Sequence, residues 1–244
     1  MVTIFIFIYE VIKYIITYMK TINSFISEKL KVTKQILNKH KECVDLGLPS
    51  GTLWGRCNVG ADEEHEYGDY FAWGETEPKK EYTWETSKFC KPLKFDRLNI
   101  SKYSAVDELE ELEPEDDAAH VNLGNGWTLP TIEQVEELIE NTTNEWVENY
   151  NDTGINGRLI TGKNGNTIFL PAGSSKSEYN NSIGKAGEYW TKNLSHYQSD
   201  GVDFQFSKDI KVHTKNNSSF VHDSKIYIDK KSRYYGLLIR PVKK

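Results

Sequence analysis

Apolar positions recur at helical spacing most clearly after Thr131. Ile132, Val135, Leu138 and Ile139 fall on one side, and Glu133, Glu136, Glu137 and Glu140 on the other. Thr131 is a natural N-cap, because its hydroxyl can accept from the unpaired N–H groups of the first turn. Gln134, three residues on, can reach back to complete a capping box. Glu133 places negative charge at the positive end of the helix dipole, and Pro130 holds the residue before it extended. The pattern predicts an amphipathic helix that packs by its apolar stripe, with no convincing helix after Asn141.

Alternation replaces helical spacing elsewhere. Val44–Leu48 and Thr52–Cys57 read as strands around a turn at Pro49-Ser50-Gly51. Arg158–Thr161 and Thr167–Leu170 flank Asn164-Gly165, a strong hairpin signal. Further strands are expected at Glu188–Leu194, Val202–Phe206, Lys225–Ile228 and Tyr234–Arg240. Polar loops rich in Asn, Ser, His and Asp separate them. Residues 42–244 therefore read as an α+β body with few helices and many short antiparallel strands.

Residues 1–41 have a different pattern and read as an N-terminal helical extension serving as anchor, leader or tag. Val2–Met19 is strongly apolar, without the cationic start or small-residue cleavage site of a secretory signal. Glu10 and Lys13 interrupt a run already short of the ~20 residues of a membrane span. Met19 offers an alternative start. In residues 20–41, Ile22, Ile26, Leu30 and Leu37 could share a helical face, with Lys29, Lys31, Lys34, Lys39 and Lys41 elsewhere. Such a helix can lie on a membrane or dock on a partner, and a solvated linker helix fits as well. Met19–Leu30 also resembles short N-terminal leaders on proteins of large tailed phages, some of which direct cargo into the capsid.

Composition narrows the functional classes. With 38% hydrophobic and 12% aromatic residues the chain can build a substantial core. The net charge of −6 argues against bulk electrostatic binding of nucleic acid. Three cysteines, Cys43, Cys57 and Cys90, make no disulfide framework; at most one pair closes, Cys43 with Cys57 being the better placed. The aromatic run Tyr67–Glu75 reads as core, although an exposed part could stack on sugar rings or other flat ligands, and Trp190 reads as core too. Residues 107–117 are acidic and could offer oxygen ligands to calcium, but they lack EF-hand spacing and read as a solvated loop. Gly157 through Lys163 superficially fits a phosphate loop. Asn164 stands where Ser or Thr is required, and no helix follows.

Several blocks then line up in order: Val44-Asp45-Leu46-Gly47-Leu48-Pro49-Ser50-Gly51-Thr52-Leu53-Trp54, Cys57-Asn58-Val59-Gly60-Ala61, Gly68-Asp69-Tyr70-Phe71-Ala72-Trp73-Gly74-Glu75-Thr76, Asp117-Ala118-Ala119, Gly126-Trp127-Thr128-Leu129-Pro130-Thr131, Asn164 through Ala172, Gly187-Glu188-Tyr189-Trp190-Thr191 and Ile239-Arg240-Pro241-Val242. Together they resemble the Fibrobacter succinogenes major paralogous domain of gut Bacteroidetes and their phages, over about residues 42–243. That family is similar to the C-type-lectin-like and formylglycine-generating-enzyme folds. The resemblance implies a C-type-lectin-like α+β domain whose terminal strands pair, here Val44–Leu48 with Leu237–Val242, and a loop-rich face from the C-terminal half. It also implies a surface or secreted module.

The residues weigh against chemistry. A formylglycine-generating site needs a reactive cysteine in the C-terminal part, and none follows Cys90. There is no nucleophile elbow, and the six histidines show no metal-ligand spacing. A calcium-dependent sugar site would need a Glu-Pro-Asn or Gln-Pro-Asp loop and a Trp-Asn-Asp motif, whereas Glu77-Pro78-Lys79 stands here. The expectation is a non-enzymatic, calcium-independent recognition module of the adhesin or receptor-binding type, with no catalytic residue, metal or cofactor. Its ligand would be a surface glycan or protein. Residues 1–41 are the candidate for membrane or capsid contact. The compartment stays open between the bacterial cell surface or secreted space and a phage virion. The candidate ligand-binding residues are Lys192, Asn193, His196, Tyr197, Asn216, Asn217, His222 and Tyr234, since Tyr gives rigid amphipathic area and Asn adaptable hydrogen bonding. The alternative is a structural or packaged virion or surface protein without a small ligand.

Overall fold

The computed structural model describes residues 2–40, 43–95, 97–124, 126–177, 182–208, 210–214, 217–221 and 225–244. The chain divides into two compact units, Met1–Lys39 and His40–Lys244. The first is one helix, α1 (Val2–His40). No Gly or Pro occurs before Gly47, so nothing breaks the helix between the apolar and the basic stretch. Side chains 9 and 11–30 are all exposed. Among the described residues, no helix is long and apolar enough to cross a membrane.

The second unit is α+β, built from small antiparallel sheets. A hairpin of β1 (Cys43–Asp45) and β2 (Leu53–Gly55) takes β13 (Val242–Lys243) on the free edge of β2. The terminal strand therefore meets Leu53 and Trp54, not Val44–Leu48 as the family resemblance implied. β1 is already the hairpin partner of β2, and β2 is left as the strand with an edge to share. β3 (Cys90–Pro92) pairs with β4 (Leu98–Ile100). Two helices follow, α2 (Ala118–Leu123) and α3 (Ile132–Asn141). Next comes the sheet of β5 (Thr142–Val147), β6 (Gly157–Gly162) and β7 (Thr167–Pro171). β8 (Ala186–Leu194) and β9 (Asp200–Ser207) pair, and β12 (Tyr227–Ser232) joins the far edge of β9. β10 (Ile210–Thr214) and β11 (Asn217–Val221) form a separate hairpin.

The capping box at α3 is formed as its sequence dictates. Thr131 Oγ1 accepts from the Gln134 N–H at 3.3 Å, and Gln134 Oε1 accepts from the Thr131 N–H at 2.9 Å. Val135 and Leu138 of its apolar stripe are fully buried. The Asn-Gly hairpin is likewise present between β6 and β7, with Gly165 at φ +85°.

β8 separates two hydrophobic clusters. Tyr189 faces the first, with Trp54, Leu138, Ile168, Phe204 and Phe206. Its neighbour Trp190 faces the second, with Phe71, Trp73, Tyr103, Leu129 and Leu237. Adjacent residues of a strand point to opposite faces, so one strand serves both cores. Tyr70–Trp73 and Trp190 are core, as expected, while Tyr67 is half-buried and Asp69 exposed. The three cysteines are free thiols.

The segment read as a strand at Tyr234–Arg240 opens in a turn at Tyr234 and Tyr235, and from Gly236 it bridges separate partners instead of joining one ladder. Leu237 exchanges backbone bonds with Phe71, Gly236 with Lys176, and the Leu238 carbonyl accepts from Trp190. Arg240 closes this segment, wholly buried. Its Nε donates to Asn58 Oδ1 at 2.8 Å. Its guanidinium also donates to the carbonyls of Gly55, Arg56 and Phe169. A planar fork with five donors can satisfy itself on backbone acceptors in this way. It ties the β1–β2 hairpin to β7, which gives the Ile239-Arg240-Pro241 motif a structural role.

Candidate functional site

The acidic stretch is consumed largely by its own fold. Asp107 caps its loop, accepting from the N–H groups of Tyr103, Ser104 and Leu109 at 2.7, 2.8 and 3.2 Å. Burial works against its charge, yet these donors hold its pKa below the usual carboxylate value. Asp116 is buried between Lys88, Lys102 and the Tyr103 hydroxyl, at 2.6, 2.6 and 2.7 Å, which hold it low against its own desolvation. Asp117 caps α2 through the His120 N–H and also takes Thr128 Oγ1 and the Leu129 N–H. Among the described residues, no group of three or more His, Cys, Asp or Glu is arranged to hold a metal ion.

Two depressions stand out among the described residues. The first is a cleft of about 660 Å³ lined by Ser104, Glu108, Glu110, Asn193, Ser195 and His196, where the end of β8 meets the acidic loop. It brings together two of the sequence-derived residues. Asn193, however, is clamped. Its Oδ1 accepts from the Ile132 N–H at 2.9 Å and its Nδ2 donates to Glu111 at 3.3 Å. It fastens β8 to the start of α3. Lys192 is similarly spent on an ion pair with Glu111 at 3.0 Å. His196 is exposed and edge-on to Tyr197, with ring centroids 5.4 Å apart. Tyr197 is 55% exposed, and Lys230 Nζ lies 3.7 Å from its ring centroid. Asn216 and His222 lie outside the described residues. Asn217 opens β11, paired with Thr214 across the hairpin.

The second depression is an aromatic groove. Two adjoining hollows, about 490 and 250 Å³, share Tyr82, Thr83 and Ser177. Lys80, Glu81 and Lys176 edge the larger, and Trp84, Glu85, Tyr234 and Tyr235 the smaller. Trp84, Tyr234 and Tyr235 form a continuous half-buried aromatic row, with centroids 4.6 and 4.5 Å apart. Tyr82 makes the floor. Its hydroxyl donates to the Tyr70 carbonyl at 2.5 Å, and burial raises its pKa. Gly236 permits this: a Cβ there would sit 2.6 Å from the Tyr82 ring.

The Trp84 loop is stiffened by its own threonines and lysines. Thr86 Oγ1 donates to the Glu81 carbonyl and accepts from the Thr83 N–H, at 2.9 and 3.1 Å. Lys91 Nζ donates to the Glu85 carbonyl, and Lys79 Nζ bridges Glu75 and the Thr86 carbonyl. On the other wall, Lys231 lies 5.3 Å from the Tyr235 centroid while paired with Glu188.

Tyr234 is the sequence-derived residue this groove absorbs, and Trp84, Tyr82 and Tyr235 are those that sequence reasoning missed. The available signal was the spacing of Tyr82, Trp84 and Phe89 through a stretch otherwise polar. An aromatic row set on a pinned loop, with charged and hydroxyl groups along its rim, suits a flat or ring-shaped ligand that is apolar on one face and polar at its edges. No family model, curated protein or solved structure matches the chain.

Proposed function

We propose that the chain is a non-enzymatic, calcium-independent recognition module of the adhesin or receptor-binding type, and that it takes a surface glycan in the groove of Trp84, Tyr234 and Tyr235. The observation that carries this reading is the row itself: three half-buried aromatics in contact along a hollow, with Tyr235 backed by the second core and Trp84 and Tyr234 carrying the row out over the hollow. Sugar rings present apolar C–H faces to such a surface, and Thr83, Glu81, Glu85 and Lys80 supply polar groups for the hydroxyls. The order of motifs along residues 42–243 and the α+β architecture support placing the domain among Fibrobacter succinogenes major paralogous domains, with a C-type-lectin-like fold. Against a formylglycine-generating activity stands Cys90, which is fully buried beside Arg233, its thiol pKa raised by burial.

The alternative of a structural or packaged virion or surface protein is favoured by one observation. Lys192 and Asn193, two residues expected to meet a ligand, are engaged internally. A glycan array separates the readings. The purified chain is applied with and without a chelator, beside Trp84→Ala and Tyr234→Ala. Chelator-resistant binding that both substitutions lower at least tenfold supports the groove. Absence of binding to any glycan, or loss with chelator alone, contradicts it.

A further inference from the structure

We infer that α1 is a self-association helix, and that its occupant is two further copies of itself in a parallel three-stranded coiled coil. Ile12, Ile15, Met19, Ile22 and Ile26 follow one another at intervals of three, four, three and four residues, which are successive a and d positions of a heptad. The remaining positions sort by the same rule. Val11, Tyr18 and Phe25 precede each a position and Ile16 follows the d position of Ile15, so they flank the seam on both sides; Asn23 takes the next flanking place, and Lys29 falls at the d position after Ile26, where the apolar seam ends. Lys13, Thr17, Lys20, Thr21, Ser24, Ser27 and Glu28 take the outer positions, where Tyr14 is the one apolar ring.

Within the helix these side chains leave an open apolar face. Ile12, Ile15, Met19, Ile22 and Ile26 are 40–57% exposed, and so are their flanking residues in comparable degree. An apolar face this long is too large to leave in water on a monomer, and an isolated helix draws most of its stability from packing such a face. The spacing chooses the cover. A stripe that keeps a 3.5-residue period drifts around a straight helix of 3.6 residues per turn, and supercoiling against another helix realigns it. The composition chooses the number. Ile at two of the three a positions, beside Met19, and at the d positions Ile15 and Ile22 shifts preference from two strands to three or more, and apolar flanks widen the buried arc beyond the narrow seam of a dimer. Three domains on one stalk would bind a repetitive surface by avidity, whatever each one recognises.

Sedimentation equilibrium of the full chain tests this. The expected result is a single species of three times the 28.1 kDa chain mass. Ile15→Asp with Ile22→Asp should return it to monomer and lower the helical circular dichroism. The near-ultraviolet signal of the tryptophans should be unchanged, because all six lie beyond residue 40. Lys13→Glu with Ser24→Asp, on the outer positions, should leave the trimer intact. A monomer at 100 µM, a dimer, or a trimer that survives the double Asp substitution overturns the inference. So does a chain that stays monomeric and partitions through α1 onto lipid vesicles.

Discussion

Asp203 offers a quantitative test of how the β8–β9–β12 sheet is built. It lies fully buried on β9, opposite Trp190 on β8 and Asp229 on β12. Among the described residues, no other residue donates a hydrogen bond to either carboxyl oxygen, and its own backbone N–H offsets little of the cost of burial. Desolvation, and then the Asp229 charge, push its pKa up to about 8. In the unfolded chain an aspartate titrates near ~3.9. Between these values the unfolded state has released a proton that the folded state still holds, so stability falls as pH rises. The contribution is complete below the unfolded pKa and is lost as pH climbs through the folded one. Each unit is worth about 1.4 kcal/mol, so wild type should lose on the order of 2–3 kcal/mol between pH 5 and pH 7 from this group alone. Asp203→Asn cannot ionise and is spared that loss. Urea unfolding of both proteins at pH 5, 6, 7 and 8, followed by tryptophan fluorescence, gives the difference in which all other titrations cancel. The advantage of the Asn variant should grow with pH across that range. A difference that is flat in pH, or that falls, refutes the reasoning.

Other substitutions probe the parts that hold the site in place. Asp117→Ala removes the cap of α2 and the partners of Thr128 and the buried Leu129 N–H; thermal or urea unfolding should show a loss of about 3 kcal/mol. Gly162→Ala would put a Cβ 2.2 Å from the Leu46 carbonyl oxygen, a backbone atom that cannot step aside; a cost of roughly 2–4 kcal/mol is expected, whereas Gly165→Ala, with open space around it, should show only the strain of its positive φ. Asn193→Ala frees the Ile132 N–H at the start of α3 and should cost about 1–2 kcal/mol in the same assay, with no change in ligand affinity.

What could be read from the sequence was whatever is local. Thr131 and Gln134 are three residues apart, so the cap of α3 was visible in the residue types alone. The Asn164-Gly165 turn was visible for the same reason. β5 escaped because it leaves α3 without a Gly or Pro to mark the change, its strand beginning at Thr142 directly after Asn141. Tyr234–Arg240 has strand composition, yet its backbone partners are Phe71, Lys176 and Trp190, which no pattern within the segment can specify. The same limit applies to the site. Asn193 has the side chain of a ligand-binding residue, but its partners, Ile132 and Glu111, come from distant parts of the chain and use it up. Trp84 and Tyr234 meet only through the fold, so neither the polar loop nor the C-terminal segment showed the groove by itself. Asp203 was hidden too. The alternation of β9 places it opposite Phe204, on a face that would be wet in a one-sided sheet, while Trp190 and its neighbours make this face a second core.

The central claim is that the ligand sits on the aromatic row, and calorimetric titration of one array-selected glycan tests it most directly. Wild type, Trp84→Ala and Asn193→Ala would be titrated side by side, each first shown to be folded. The account predicts that Trp84→Ala loses at least tenfold in affinity, about 1.4 kcal/mol, while Asn193→Ala binds as wild type does. Full affinity in Trp84→Ala together with loss in Asn193→Ala would place recognition in the cleft at the end of β8 and contradict it.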